Sequence, residues 1–493
     1  MNGAHPTQRH APEWVILAIA CVAQFMVVLD VSIVNVALPS IGRELHYSAT
    51  GLQWVVNAYV LTFAGFLLLG GRAADIFGRR RIYLFGMALF VGASLVGGFA
   101  QNSAWLTAAR AAQGIGGAFL SPATLTIIVT TFHGARLPKA LGAWSAVAGA
   151  GGAVGSILGG VLTAELSWRW VLFVNVPIGA AAIGAALIYL PELRRTGEKP
   201  RLDVAGAITV TAGLALLAYA IVGTDVYPWV STRTLSILAI SIVLLAAFLY
   251  IQVRVASHPL VPLRLFRSRS VSGSNIVMFL VGAAFFSMWY FLSLYMQNVL
   301  GFGALRAGMA FVPMALAIII GAQLSSRILA KTGVRPLLFV GTAVATLGFV
   351  WLSQIQAASS YWTAVFGPGS AIALALGILF TPLAHAATAG VDQLEAGLAS
   401  GVLNTSRQVG GSIGLAALAT VATDRTTEVL AHANSGLDTA LADGYSRAFE
   451  VAAALTAVAF VGAFIVPRLG RSTTTVTAVP PDTARLGAQP AEG

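Results

Sequence analysis

Charge is scarce in this sequence. Asp, Glu, Lys and Arg fill 10% of 493 positions, where a soluble globular chain carries roughly 25%, and 57% of positions are hydrophobic. Water is therefore excluded as the main solvent. The single cysteine, Cys21, excludes an internal disulfide and, lying inside an apolar run, says nothing of redox compartment. Lysine is nearly absent: Lys139, Lys199 and Lys331 are the only three and none follows a glycine. That excludes a phosphate-cradling Gly-Lys loop and hydrolysis of ATP by this polypeptide. No HExxH helix, metal-ligand cluster or activated nucleophile is present, so no metal, cofactor or enzymatic reaction is expected. The excess of bases over acids, 29 against 18, does not signal nucleic acid, which needs a clustered basic face.

What the chain does have is apolar runs of about 20 residues, the length that crosses a hydrocarbon core of about 30 Å. Unsatisfied backbone is costly in lipid, so such runs form helices. Windows of about 19 residues place spans near 14–38, 52–70, 82–100, 105–128, 140–163 and 171–190, then 204–223 and 234–253, then 272–297, 305–329, 337–355, 362–388, 397–421 and 445–466. The expected fold class is all-α integral membrane, with 14 transmembrane helices. Trp14 to Leu38 is too long for a signal-peptide core and reads as an uncleaved first helix. The expected organisation is a cytoplasmic N-terminal tail (1–13), a six-helix bundle (14–190), cytoplasmic loops with two linking helices (191–271), a second six-helix bundle (272–466) and a disordered cytoplasmic tail rich in Thr, Ala and Pro (467–493).

The distribution of Lys and Arg orients the spans. With both termini on one side, that side receives 21 of the 29 basic residues, among them Arg72, Arg79, Arg80, Arg81, Arg264, Arg267 and Arg269. The opposite side keeps Arg43, Arg169, Arg233, Arg306, Arg425 and Arg447, and Arg110 and Arg407 fall inside spans. Both termini are therefore expected in the cytoplasm of a cell whose inner (plasma) membrane holds the protein. A weak internal repeat divides the chain the same way: Gly78-Arg79-Arg80 followed by Gly86 recurs as Gly333-Val334-Arg335 followed by Gly341. Such repeats are typical of transporters, with the substrate site near the midplane between the halves.

Several segments carry more than hydropathy. The loop Gly71-Arg72-Ala73-Ala74-Asp75-Ile76-Phe77-Gly78-Arg79-Arg80-Arg81 resembles the signature loop of the major facilitator superfamily. The resemblance implies a conformational latch formed by Gly71, Asp75, Gly78, Arg79 and Arg80; the alternative is a solvated loop whose arginines set topology. Leu106-Thr107-Ala108-Ala109-Arg110-Ala111-Ala112-Gln113-Gly114-Ile115-Gly116 is similar to the family's motif with a buried arginine. A charge inside a span costs at least about 2.5 kcal/mol on insertion scales, so it faces a cavity or a partner. Asp30, in Leu29-Asp30-Val31-Ser32-Ile33-Val34-Asn35-Val36-Ala37-Leu38-Pro39, is the expected partner: at 1.5 Å per residue it lies about 12 Å from the outer end and Arg110 about 8 Å.

Gly142, Gly151, Gly155, Gly159 and Gly160 follow the spacing of a motif that resembles the antiporter signature, with Ser156 where the family has proline. Glycines at such intervals allow close helix approach, and the absent proline puts a kink there in doubt. Trp168-Arg169-Trp170 with Asn175 and Pro177, Leu202-Asp203 with Gly206, and Asn404 to Ser412 are similar to the fourteen-helix drug:proton antiporters of the EmrB/QacA type. The resemblance covers roughly 14–466. It implies a major facilitator fold of two six-helix bundles plus two linking helices.

Chemistry offers a coupling mechanism. A low-dielectric cavity favours a carboxyl as its neutral acid and a nearby guanidinium favours the anion, so movement of Arg110 relative to Asp30 would take up and release a proton. A static structural pair is the alternative. Candidate cavity residues are Gln24, Asn35, Trp54, Asn57, Tyr59, Trp289, Tyr290, Gln323, Asn404 and Arg407, together with Tyr295 and Gln297; His385 could also titrate. Two roles are open for Arg407, substrate binding or a structural and gating one. The expected activity is proton-driven export of amphipathic drugs or antibiotics. Its partners are a small amphipathic substrate, protons and the lipid bilayer, with no nucleic acid, and a monomer is expected. A dedicated exporter of one metabolite, antibiotic or lipid, or a non-transporting receptor on the same fold, are the alternatives.

Overall fold

The structure is a computed structural model that describes residues 12–48, 50–133, 136–191, 202–225, 227–257, 259–391, 396–432 and 436–468. The expected tails before 12 and after 468, and most of the basic loop 191–203, lie outside the described residues. Among those described, every regular element is helical.

Among the described residues, fourteen long helices follow one another. The first six are α1 (Glu13–Glu44), α2 (Trp54–Phe77), α3 (Arg79–Gly98), α4 (Ser103–Thr131), α5 (Arg136–Glu165) and α6 (Trp170–Tyr189), the last with a one-residue break at Val174. Then come α7 (Val204–Val222) and α8 (Thr232–Tyr250). The last six are α9 (Arg269–Leu294), α10 (Ala304–Leu329), α11 (Val334–Leu352), α12 (Trp362–Thr388), α13 (Ala396–His432) and α14 (Leu437–Gly462). Twelve of them are long and apolar enough to cross a membrane; α5 and α13, of 30 and 37 residues, are the other two.

Local chemistry sets the helix boundaries. Asn102 caps α4 by accepting from the Trp105 amide at 2.9 Å, and Asp203 caps α7 through the Gly206 amide at 2.8 Å. Between α2 and α3 the chain turns at Gly78 with φ +94°, and between α10 and α11 at Gly333 with φ +79°. Side chains rarely adopt that region, which is why both copies of the repeat need glycine.

Packing repeats as well. The pairs α1 with α5, α2 with α4 and α3 with α4 recur as α9 with α13, α10 with α12 and α11 with α12, each eight helices later. Across the middle, α5 meets α10 and α2 meets α13, while α7 lies against both α2 and α13. Of the twelve helices apolar enough to cross a membrane, the least embedded is α8: it is the most apolar, yet only 11% of its apolar stretch is buried. Ile242, Val243, Leu249 and Tyr250 point outward from it, and Leu187, Ile188, Leu347, Val458 and Val461 do so elsewhere. So extended an apolar exterior is stable only against lipid.

Candidate functional site

Glycines decide how near the helices come. Along α5, a Cβ on Gly151, Gly155 or Gly159 would stand 3.0, 2.8 and 2.7 Å from the carbonyl oxygens of Phe25, Leu29 and Ile33. Both series advance four residues at a time, so α1 and α5 touch backbone to backbone over two turns. Gly160 faces the other way, 2.7 Å by the same measure from the Ala304 oxygen of α10. Gly142 departs from the expectation: it fits the spacing, but a Cβ there would have nothing within 4 Å, so it faces open space although Leu17 and Ala20 of α1 pack with Leu137 and Ala140 of α5 at that level. The helix runs unbroken through Ser156, whose hydroxyl donates to the Gly152 carbonyl at 3.1 Å. Gly155→Leu is expected to force α1 and α5 apart and sharply lower the melting temperature of the purified protein, while Gly142→Ala leaves it unchanged; equal melting of the two variants would refute this packing.

With Leu29 and Ile33 committed to α5, the 100° step per residue turns Asp30 toward α4 and α6. Asp30 is fully buried and Arg110 is 2% exposed. The Arg110 Nη1 donates to Asp30 Oδ2 at 2.5 Å and to Gln113 Oε1 at 2.7 Å, and its Nε donates to the Val55 carbonyl at 3.0 Å. The Asp30 Oδ1 accepts from Gln113 Nε2 at 2.7 Å and from Asn175 Nδ2 at 3.1 Å. Ser94 completes the cluster, accepting from both amides and donating to the Leu172 carbonyl at 2.9 Å. The Arg110 guanidinium lies over the Tyr59 ring, its carbon 4.5 Å from the ring centroid. Side chains of five helices thus meet at one carboxylate, and every polar group on that carboxylate is a donor.

Asp30, Arg110 and Tyr59 are expected from the sequence; Gln113, Asn175 and Ser94 join them without a role expected of them. Gln113 and Asn175 stand inside apolar runs, and an amide there needs a partner. That was the available signal. The break at Val174 starts a new helix at Asn175, which aims its side chain into the cluster.

The other expected residues scatter. Asn57 is buried, donates to Gln53 and accepts from Ser412 Oγ at 2.9 Å, joining α2 to α13. The backbone carbonyl of Asn35 accepts from Ser293, and that of Val36 from Gln297, at 2.6 and 2.9 Å, joining α1 to α9 and the segment after it. Gln24 accepts from Ser121 at 3.2 Å. Trp54 packs beside α7, with Tyr219 at 6.2 Å, and Trp289 rests on Phe311 at 5.0 Å. Tyr290 is buried, its hydroxyl without a partner among the described residues, and Tyr295 donates to the Gln356 carbonyl at 2.7 Å. Gln323 and His385 are exposed. Arg407 donates to Asn404 at 2.8 Å and lies over Phe380; no acid among the described residues pairs with it.

At the loop after α2, Asp75 belongs to the helix and its side chain lies outside the described residues. Arg80 donates to the Leu187 carbonyl near the end of α6, so it ties two helices together besides adding charge. A Cβ added at Gly71 would meet Pro122 at ordinary contact distance. At the other end, Arg169 joins α1 to α3, pairing with Glu44 at 2.8 Å and donating to the Gly98 and Ala100 carbonyls.

A lipid-faced helical protein with an internal packing repeat and a charge pair sealed in its first half has the architecture of a secondary transporter. The family model of the Major Facilitator Superfamily matches residues 20–415. The chain belongs to that superfamily. Among similar proteins, a cephamycin export protein of Amycolatopsis lactamdurans is 43% identical over 460 residues, 93% of each chain. A puromycin resistance protein of Streptomyces alboniger is 39% identical over 446 residues, 90% of this chain and 88% of that one. In fold, the chain is similar to the crystal structure of a bacterial homologue of the human lysosomal transporter Spinster in an inward-facing, occupied conformation, with TM-score 0.66 and 17% identity over 92% of this chain and 96% of that one.

Proposed function

We propose that this protein exports antibiotics or other amphipathic compounds from the cytoplasm and that inward proton movement drives the export. The sealed Asp30–Arg110 pair carries the reading: a carboxylate held only by donors inside a span is costly unless it is used. Its relatives named for cephamycin export and puromycin resistance support the substrate class. Coupling would run by separation of Asp30 from Arg110, protonation of the freed carboxyl, and release of the proton when the pair reforms. The architecture we infer is two six-helix bundles, α1–α6 and α9–α14, with α7 and α8 linking them, fourteen spans in all and both termini cytoplasmic. The basic-residue count of 21 against 6 supports that orientation.

In this reading the hydrogen bonds at Asn35, Val36 and Asn57 close the outer face, and alternation requires them to break. Asn57→Ala strands the Ser412 hydroxyl and weakens the seam by about 1–3 kcal/mol. The expected result is a larger outward-open population in distance measurements between spin labels across α2 and α13; an unchanged distribution would show that this bond does not bias the equilibrium. Transport itself is tested in proteoliposomes carrying an internal pH reporter. Adding a transported drug is expected to release protons, and drug movement indifferent to a collapsed proton gradient would refute the coupling. Protection against a single chemotype in an efflux-deficient host would indicate a dedicated exporter instead.

A further inference from the structure

The Asp30 cluster contains two buried amides, and their hydrogen bonds leave them with different freedoms. Gln113 is fully used: its oxygen accepts from Arg110 and its nitrogen donates to Asp30 and Ser94. Turned over, it would set NH2 against the guanidinium, donor to donor. Asn175 is only half used. Its nitrogen donates to Asp30 Oδ1 and to Ser94 Oγ, both at 3.1 Å, while its oxygen is buried with no partner among the described residues. This orientation is dictated, since an ionised Asp30 can only accept and the Ser94 proton is committed to the Leu172 carbonyl. A fully buried, unsatisfied amide oxygen is costly and requires a reason.

A protonated carboxyl supplies one. Every polar group now on Asp30 is a donor, so a neutral Asp30 would turn its O–H toward groups that cannot accept it. Rotation of the Asn175 side-chain amide by half a turn brings Oδ1 to the place of Nδ2, facing Asp30. We propose that Asn175 is a positioning residue that reads the protonation state of Asp30, donating to the carboxylate and, after turning over, accepting from the carboxylic acid. The proton that arrives forms the O–H bond of the Asp30 carboxyl and is thereby hydrogen-bonded in the state where Arg110 has withdrawn, leaving with the same bond when the carboxylate reforms; the turning of Asn175 itself makes and breaks only hydrogen bonds. This rests on the reading of Asp30 as the proton carrier.

The charged and titratable groups on the surrounding helices leave this task to Asn175. Arg110 of α4 is a donor only. The Tyr59 hydroxyl of α2 is buried without a partner among the described residues, but it lies against Gly117, a turn along α4 from Gln113, while the Tyr83 hydroxyl of α3 is committed to the Ile19 carbonyl. On α5, the face toward α1 carries glycines. At the far end of α1 and the start of α6, Glu44 and Arg169 pair with each other.

The test is infrared difference spectroscopy of the full chain in proteoliposomes, its asparagine side chains labelled with carbon-13, across a pH step. A carboxylic acid band that is lost in Asp30→Asn is expected, together with a label-sensitive amide band that moves in the same step. That amide band is expected to vanish in Asn175→Leu and in the isosteric Asn175→Asp, and either variant suffices to assign it. An Asp30 band with no moving amide band overturns the role of Asn175 alone. Absence of any Asp30-dependent band overturns the proton-carrier reading, and this inference with it. In transport, Asn175→Leu can neither donate nor accept and is expected to slow drug-driven proton release by roughly tenfold; a rate within about twofold of the unaltered protein would count against the proposal.

Discussion

Asp30→Asn is expected to abolish uphill export and drug-driven proton release while leaving drug binding and drug-for-drug exchange in place. The asparagine has nearly the shape of the carboxylate and can still meet the Gln113 and Asn175 amides. What it cannot do is change charge. A transporter locked in one charge state can shuttle loaded between its two faces but gains nothing from a proton gradient. Inverted vesicles measure both activities on one preparation. Loss of exchange together with uphill transport would mean that Asp30 serves the substrate site or the fold, and full retention of uphill export would exclude Asp30 as the coupling group.

Arg110→Leu is expected to have the largest effect on stability, a loss of about 3–5 kcal/mol, because it leaves a fully buried carboxylate with no cation beside it. The guanidinium also holds the Gln113 oxygen and the Val55 carbonyl and covers the Tyr59 ring, so three further contacts go with it. Adding Asp30→Asn to Arg110→Leu removes the stranded charge, and the double variant is expected to recover much of the lost stability without recovering export. Thermal unfolding of the four proteins in one lipid mixture gives the coupling energy. Additive losses would show that the two residues do not depend on one another for burial.

Different physical signals make these features legible to different degrees. Helix positions are local: a run such as Trp14 to Leu38 must be helical wherever lipid is the solvent, and the helix found, Glu13–Glu44, contains it. Its far end runs on through Pro39 and Arg43 to Glu44, past the apolar stretch. The thirteenth helix likewise continues eleven residues beyond the expected 421, to His432, since polar residues outside the hydrocarbon core do not end a helix. The contact of Asp30 with Arg110 was readable from burial cost and matching depth, as was the close approach at Gly151, Gly155 and Gly159. The open face of Gly142 was not, because spacing along one helix does not say which of its faces a neighbour covers.

By itself the sequence determined the solvent, the helical class, the internal repeat and the presence of two charges in places that demand partners. Each depends on the energy of a residue or a short run in lipid and needs no knowledge of distant chain. Tertiary structure alone decided that Gln113 from α4, Asn175 from α6 and Ser94 from α3 gather at the same carboxylate, that Trp54 rests on α7, and that the Asn175 oxygen is left without a donor. Those outcomes depend on how helices far apart in sequence are rotated and offset against each other. Glycine contacts a fraction of an ångström tighter or looser set that rotation, and hydropathy does not record it.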